Sequence, residues 1–118
     1  MINGKYDLEE RTAKFGEEVI KFSKKLKKDT VTLPLISQIV RSATSVGANY
    51  CEADDAESRK DFQHKIGICK KESRETKHWL RMIVVAEPNL KEEARILWQE
   101  AKELNLIFNA IFNKLKNK

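Results

Sequence analysis

Hydrophobic residues recur along this chain at steps of three and four, in four separate runs. The first run reads Leu8, Thr12, Phe15, Val19, Phe22 and Leu26. Steps that alternate four and three form a heptad seam, one apolar edge of a long helix. Asp7 precedes this run as an N-cap, acids come first and lysines last, an order that suits the helix dipole. A helix over about 7–28 is predicted, stopping near Asp29-Thr30. The second run is Ile36, Ile39, Ala43, Val46, Tyr50 and Ala53, with Pro34 tolerated in the first turn, and predicts a helix over about 33–55. Its middle is unusually small (Ser37, Ser42, Thr44, Ser45, Gly47, Ala48), which allows close approach of a neighbour or a kink at Gly47.

Asp54-Asp55-Ala56-Glu57 is an acidic connection, after which Ser58 and Asp61 stand three apart as an acidic capping box. The third run, Phe62, Ile66, Cys69, Ser73, Thr76, Leu80 and Ile83, predicts a helix over about 59–86. Its centre is weakly apolar, so burial there is the least assured. Glu87-Pro88-Asn89 is a tight connector in which Asn89 or Glu87 caps the next helix. The fourth run is the cleanest: Leu90, Ala94, Leu97, Ala101, Leu104, Phe108, Ile111 and Leu115, a helix over about 89–116 with a frayed lysine-rich tail. Four seams of period 3.5 joined by short connections specify one all-α domain over residues 1–118, an antiparallel, left-handed, up-down-up-down four-helix bundle.

Composition narrows the function classes. The 118 residues fit one domain, and 35% of them are charged, with a formal net charge of +5. That balance permits contact with nucleic acid or an acidic partner. Met1–Asp7 has no apolar signal-like region and no run spans a bilayer, so a soluble, cytoplasmic protein without membrane contact is expected. Cys51 and Cys69 form no C-x-x-C pair and read as free thiols. Glu75-Thr-Lys-His78 has the Glu-x-x-His spacing of di-iron bundles. Its nearest echo, Asp61-Phe-Gln-His64, lies on the same helix and cannot close a metal site. No catalytic residue, metal or cofactor is expected.

The third helix is the basic one. It carries Lys65, Lys70, Lys71, Arg74, Lys77 and Arg81 against few acids. Lys70, Arg74, Lys77 and Arg81 share one side, suited to phosphates, although a merely solvated face has the same pattern. Arg41, the only base in the second helix, pairs with an acid or contacts a partner. Trp79, Met82, Trp98 and Phe112 exceed what one narrow seam needs, so they widen the core or form an oligomer interface. Asn49 and Glu52 read as a structural pair holding the end of the second helix.

The stretch from Ser37 to Arg81, SQIVRSATSVGANYCEADDAESRKDFQHKIGICKKESRETKHWLR, resembles the four-helix S23, or 23S rRNA intervening-sequence, protein family of bacteria. Gln38, Arg41, Ala43, Ser45, Asn49 and Glu52 carry the first part of the resemblance, and Ser58, Asp61 and Phe62 the second. Glu75 and Leu80 follow in place. The commoner family sequence Ile-Pro-Ser-Asn-Ile-Ala-Glu-Gly is here Val46 to Ala53, without the proline or the final glycine. The resemblance implies a homo-pentameric ring, in a family with no established enzymatic activity. It also implies kinship with retroelement accessory proteins that bind nucleic acid and a reverse transcriptase through a basic surface. Two functional expectations follow. One is a non-enzymatic oligomeric accessory protein binding RNA or DNA with little sequence preference, through Arg41, Lys65, Lys70, Lys71, Arg74, Lys77 and Arg81. The other is a homo-oligomeric protein-interaction scaffold that binds no nucleic acid.

Overall fold

Asp7 opens the first helix by accepting a hydrogen bond from the Glu10 backbone N–H at 3.1 Å, in a computed structural model that describes residues 7–116. The N-terminal segment read for a signal, and the last residues of the lysine-rich tail, lie outside the described residues. Four helices follow: α1 (Leu8–Ser23), α2 (Thr32–Asp54), α3 (Arg59–Ala86) and α4 (Lys91–Lys116), with a 3₁₀ turn at Pro88–Leu90 before α4. There is no strand among the described residues.

Cross-helix contacts fix the antiparallel order. Thr12 meets Gly47 and Thr44 meets Gly16 between α1 and α2. Arg41 meets Glu72 while Glu52 meets Lys65 between α2 and α3. Gly67 meets Phe112 while Lys77 meets Trp98 between α3 and α4. Arg11 reaches Glu100 and Lys25 reaches Glu93, which brings α4 back to α1. Neighbours run up, down, up, down, and the molecule measures 46 × 28 × 21 Å.

The core follows the four seams. All six residues of the first seam are buried, Leu8 to Phe22 on α1 and Leu26 just beyond it. So are Ile39, Ala43, Val46 and Ala53 of α2, with Ile36 and Tyr50 half-buried. Leu90 through Phe108 of the fourth seam are buried too. The weak centre of the third seam is buried as well, with Cys69, Ser73 and Thr76 fully enclosed. Their polar atoms cost little there because each finds a partner. Thr76 Oγ1 donates to the Glu72 carbonyl at 2.8 Å and lies 2.9 Å from Ser42 Oγ. Ser73 Oγ donates to the Lys70 carbonyl at 3.0 Å. Asn105 Nδ2 of α4 donates to that same carbonyl at 2.8 Å.

Helix ends depart from the predicted ones in two places. α1 stops at Ser23 rather than near residue 28. Beyond it the chain tightens into turns, Lys25 N–H to Phe22 and Leu26 N–H to Ser23, which tuck Leu26 into the core. The Lys27 N–H is then drawn off the helix axis by Glu87 Oε1 at 2.7 Å. Glu87 therefore ties the α3–α4 connection to the α1–α2 loop instead of capping α4. Asp29, read as the end of α1, starts α2: its Oδ1 accepts from the N–H groups of Val31 and Thr32, each at 2.9 Å. Those backbone donors hold the Asp29 carboxyl below its ordinary range. Ser58 caps α3 as predicted, accepting from Asp61 N–H at 3.0 Å.

Gly47 leaves α2 unbroken and serves close approach. A Cβ there would stand 3.3 Å from Thr12 Oγ1 and 3.4 Å from the Thr12 backbone. The small middle of α2 is thus where α1 seats.

Candidate nucleic-acid interface

Charge is sorted by the packing of the bundle. On α4 the carboxylates that face α1 are paired. Glu93 takes Lys25 at 2.8 Å, and Glu100 and Glu103 share Arg11 at 2.8 and 3.0 Å. The hydrogen bond that Arg11 donates to Glu100 is the main cause of its raised pKa. On α3 the carboxylates that face α2 are paired as well. Glu72, only 7% exposed, accepts from Arg41 Nη1 at 3.1 and 3.2 Å, and Glu75 accepts from Arg41 Nη2 and from Trp79 Nε1.

The remaining edges of α3 and α4 meet along one seam, and that seam is basic. α3 supplies Lys70, Lys77 and Arg81. α4, running the other way, supplies Lys102, Arg95 and Lys91. Among the described residues, no carboxylate lies within 4.0 Å of the charged nitrogens of Lys70, Lys77, Arg81, Lys91 or Lys102. Arg95 has Glu92 at 3.9 Å on its outer side. From residue 70 to 81 the strip runs about 16 Å at 1.5 Å per residue. Lys71 and Arg74 are exposed on α3 next to it.

Two of the sequence-predicted cations lie away from this strip. Arg41 is held by Glu72 and Glu75. Lys65 is held by Glu52 at 2.6 Å, and that hydrogen bond raises its pKa. The same contact redirects the Asn49–Glu52 pair: Glu52 bridges α2 to α3, while Asn49 Nδ2 donates to the Ser45 carbonyl at 2.9 Å. The contribution of α4 is not among the candidates read from the sequence. Its signal is the four-three-four spacing of Lys91, Arg95, Trp98 and Lys102.

The four large side chains proposed for an interface divide. Phe112 is half-buried under Lys70, whose Nζ sits 4.7 Å from the ring centre. Trp79 is half-buried against the core and stacks edge-on with His78 at 4.9 Å. Met82 is half-buried. Trp98 stands 37% exposed in the middle of the basic strip. Lys77 Nζ lies 5.4 Å and Lys102 Nζ 5.7 Å from its ring centre. Beside Trp98 opens an apolar cleft of about 370 Å³, with buried Leu80 and Ala94 at its base and Val84, exposed Val85, Arg81, Lys91 and Arg95 lining it.

Among the described residues no group of three or more His, Cys, Asp or Glu is positioned to hold a metal ion. Burial pushes the Cys69 thiol up to about 12, which keeps it protonated and unreactive. Cys51 is exposed. Among the described residues no helix is long and apolar enough to cross a membrane.

The model of the 23S rRNA-intervening sequence protein family matches residues 5–118. The chain belongs to that family. A crystal structure of a protein with unknown function from the S23 ribosomal protein family of Bacteroides thetaiotaomicron VPI-5482 is 30% identical to it. That likeness has a TM-score of 0.78 and covers 88% of this chain and 96% of the other. A comparison with curated proteins returns no match. The match extends over all four helices.

Proposed function

We propose that this protein is a non-catalytic, self-associating accessory protein that binds nucleic acid along the α3–α4 seam. One observation carries the reading: the carboxylates of α3 and α4 that face α2 and α1 are paired there, while six cations, five of them with no carboxylate within 4.0 Å among the described residues, form a strip around an exposed tryptophan. Phosphates are the natural counter-charge for such a strip. Arginines grip them with a planar fork and lysines act as mobile point charges. Lys70, Lys77 and Arg81 retain the role expected of them, joined by Lys91, Arg95 and Lys102, with Lys71 and Arg74 as flanking contacts. Arg41 and Lys65 serve the bundle instead, through Glu72, Glu75 and Glu52. The reading is independent of base sequence, because a strip of side-chain cations on a convex seam addresses backbone rather than base edges.

Self-association, expected as a pentamer, multiplies weak contacts through avidity. In a five-fold ring each contact is head-to-tail, joining two different faces of the subunit. Filter binding across a salt series tests the proposal. Six phosphates neutralised per protomer give a slope of about −4 in log K against log salt on a single strand. No binding at low salt, or no salt dependence, would sink it. Sedimentation at only 13.7 kDa would remove the self-association.

A further inference from the structure

We infer that the cleft beside Trp98 is a seat for one unpaired base, which makes single-stranded rather than duplex nucleic acid the preferred ligand. The inference rests on the proposal above that the strip binds nucleic acid, and adds which form it takes.

The seat has the two parts that capture of a single strand requires. One is an accessible aromatic face. The indole of Trp98 is more than a third exposed, and what covers it in the free protein is a pair of flexible ammonium groups, Lys77 and Lys102. A lysine over a ring is held loosely enough to swing aside. When a base slides onto the indole, those two ammoniums move to the phosphates on either side of it. The other part is a charged track leading in and out of the cleft. Arg81, Lys91 and Arg95 line the same cleft whose floor is apolar.

A duplex has no use for this floor, because its base faces are stacked away from the surface. Phosphates alone would be served as well by the cations without Trp98, Val84 and Val85. An acidic amphipathic helix fits poorly too. Such a helix needs a groove long enough for anchors at i, i+3, i+4 and i+7, whereas the apolar lining here is one short patch of Leu80, Val84, Val85, Ala94 and Trp98. A base offers a flat apolar face for the indole and floor, with negative charge held a short way off on both sides. Stacking of that kind tolerates any base, in keeping with binding that is independent of sequence.

The test uses the full chain with Trp79→Phe, so that the fluorescence reports Trp98 alone. The probes are a short oligothymidylate, a duplex of equal length and polyglutamate. The expected result is quenching by the oligothymidylate and tighter binding of it than of the duplex. Trp98→Leu should weaken the single strand at least about fivefold, Trp98→Phe should restore most of it, and duplex binding should change less than twofold. Three outcomes overturn the inference alone: equal or better duplex binding with Trp98→Leu silent, equal competition by polyglutamate, or a smaller sedimenting species for Trp98→Leu, which would make Trp98 a subunit contact. Failure of both nucleic acids to bind at low salt overturns the parent proposal instead.

Discussion

Arg41 illustrates how a residue's neighbours decide its use. Its guanidinium spans Glu72 and Glu75 on α3, and Glu72 has almost no access to water. Removing the arginine strands a carboxylate at the α2–α3 contact, which costs most when the orphaned group is buried. Arg41 itself is 45% exposed, and that solvent access reduces the effect. Arg41→Met is therefore expected to lower stability by about 1–2 kcal/mol in urea denaturation, with the salt slope for nucleic acid unchanged. Unchanged stability with lost affinity would return Arg41 to the binding set. Local pattern does not separate these roles, since Glu72 and Glu75 lie 31 and 34 positions away.

Between helices, the tightest requirement lies where α1 crosses the small middle of α2. Gly47 faces Thr12 backbone atoms, which cannot move without α1 itself moving. Gly67 of α3 also faces a close neighbour, Phe112 Cε1 at 3.1 Å from a built Cβ, but that atom is the end of a half-buried side chain. The two glycines should therefore respond differently. Gly47→Leu is expected to destabilise by about 1–3 kcal/mol through overpacking. Gly67→Ala should stay within about 0.5 kcal/mol, as ring displacement offsets the gain in helix propensity. Thermal melts of the two variants check this, and equal losses would show that the α1–α2 contact is no tighter than the α3–α4 one. The seams, the Ser58 cap and the smallness of α2 were all legible, because helix periodicity and capping are local. The early end of α1 was not: the chain tightens at Phe22 and Ser23, and the loop that follows is held by Glu87 from 60 positions away.

Over the whole molecule, position matters more than net charge. The α1–α2 loop also carries exposed lysines, Lys24, Lys27 and Lys28 among them, and these form the rival basic patch. Replacing those three with glutamine leaves the same net charge as replacing Lys77, Arg81 and Lys102. The strip triple is expected to weaken oligonucleotide binding by about tenfold or more at moderate salt, and the loop triple by less than about threefold. Equal losses, measured by fluorescence anisotropy, would mean that the field of the whole protein acts without a dedicated surface.

By itself the sequence determined the bundle: four seams of alternating three and four steps can be buried together only by helices packed side by side. It also determined that α3 is basic. The structure decided which of those bases remain available, and it added α4 as the other half of the strip. Periodicity fixes the side of its own helix on which a residue stands. Only packing fixes which helix lies beside that side, and so whether a lysine meets a carboxylate, another lysine or the face of Trp98.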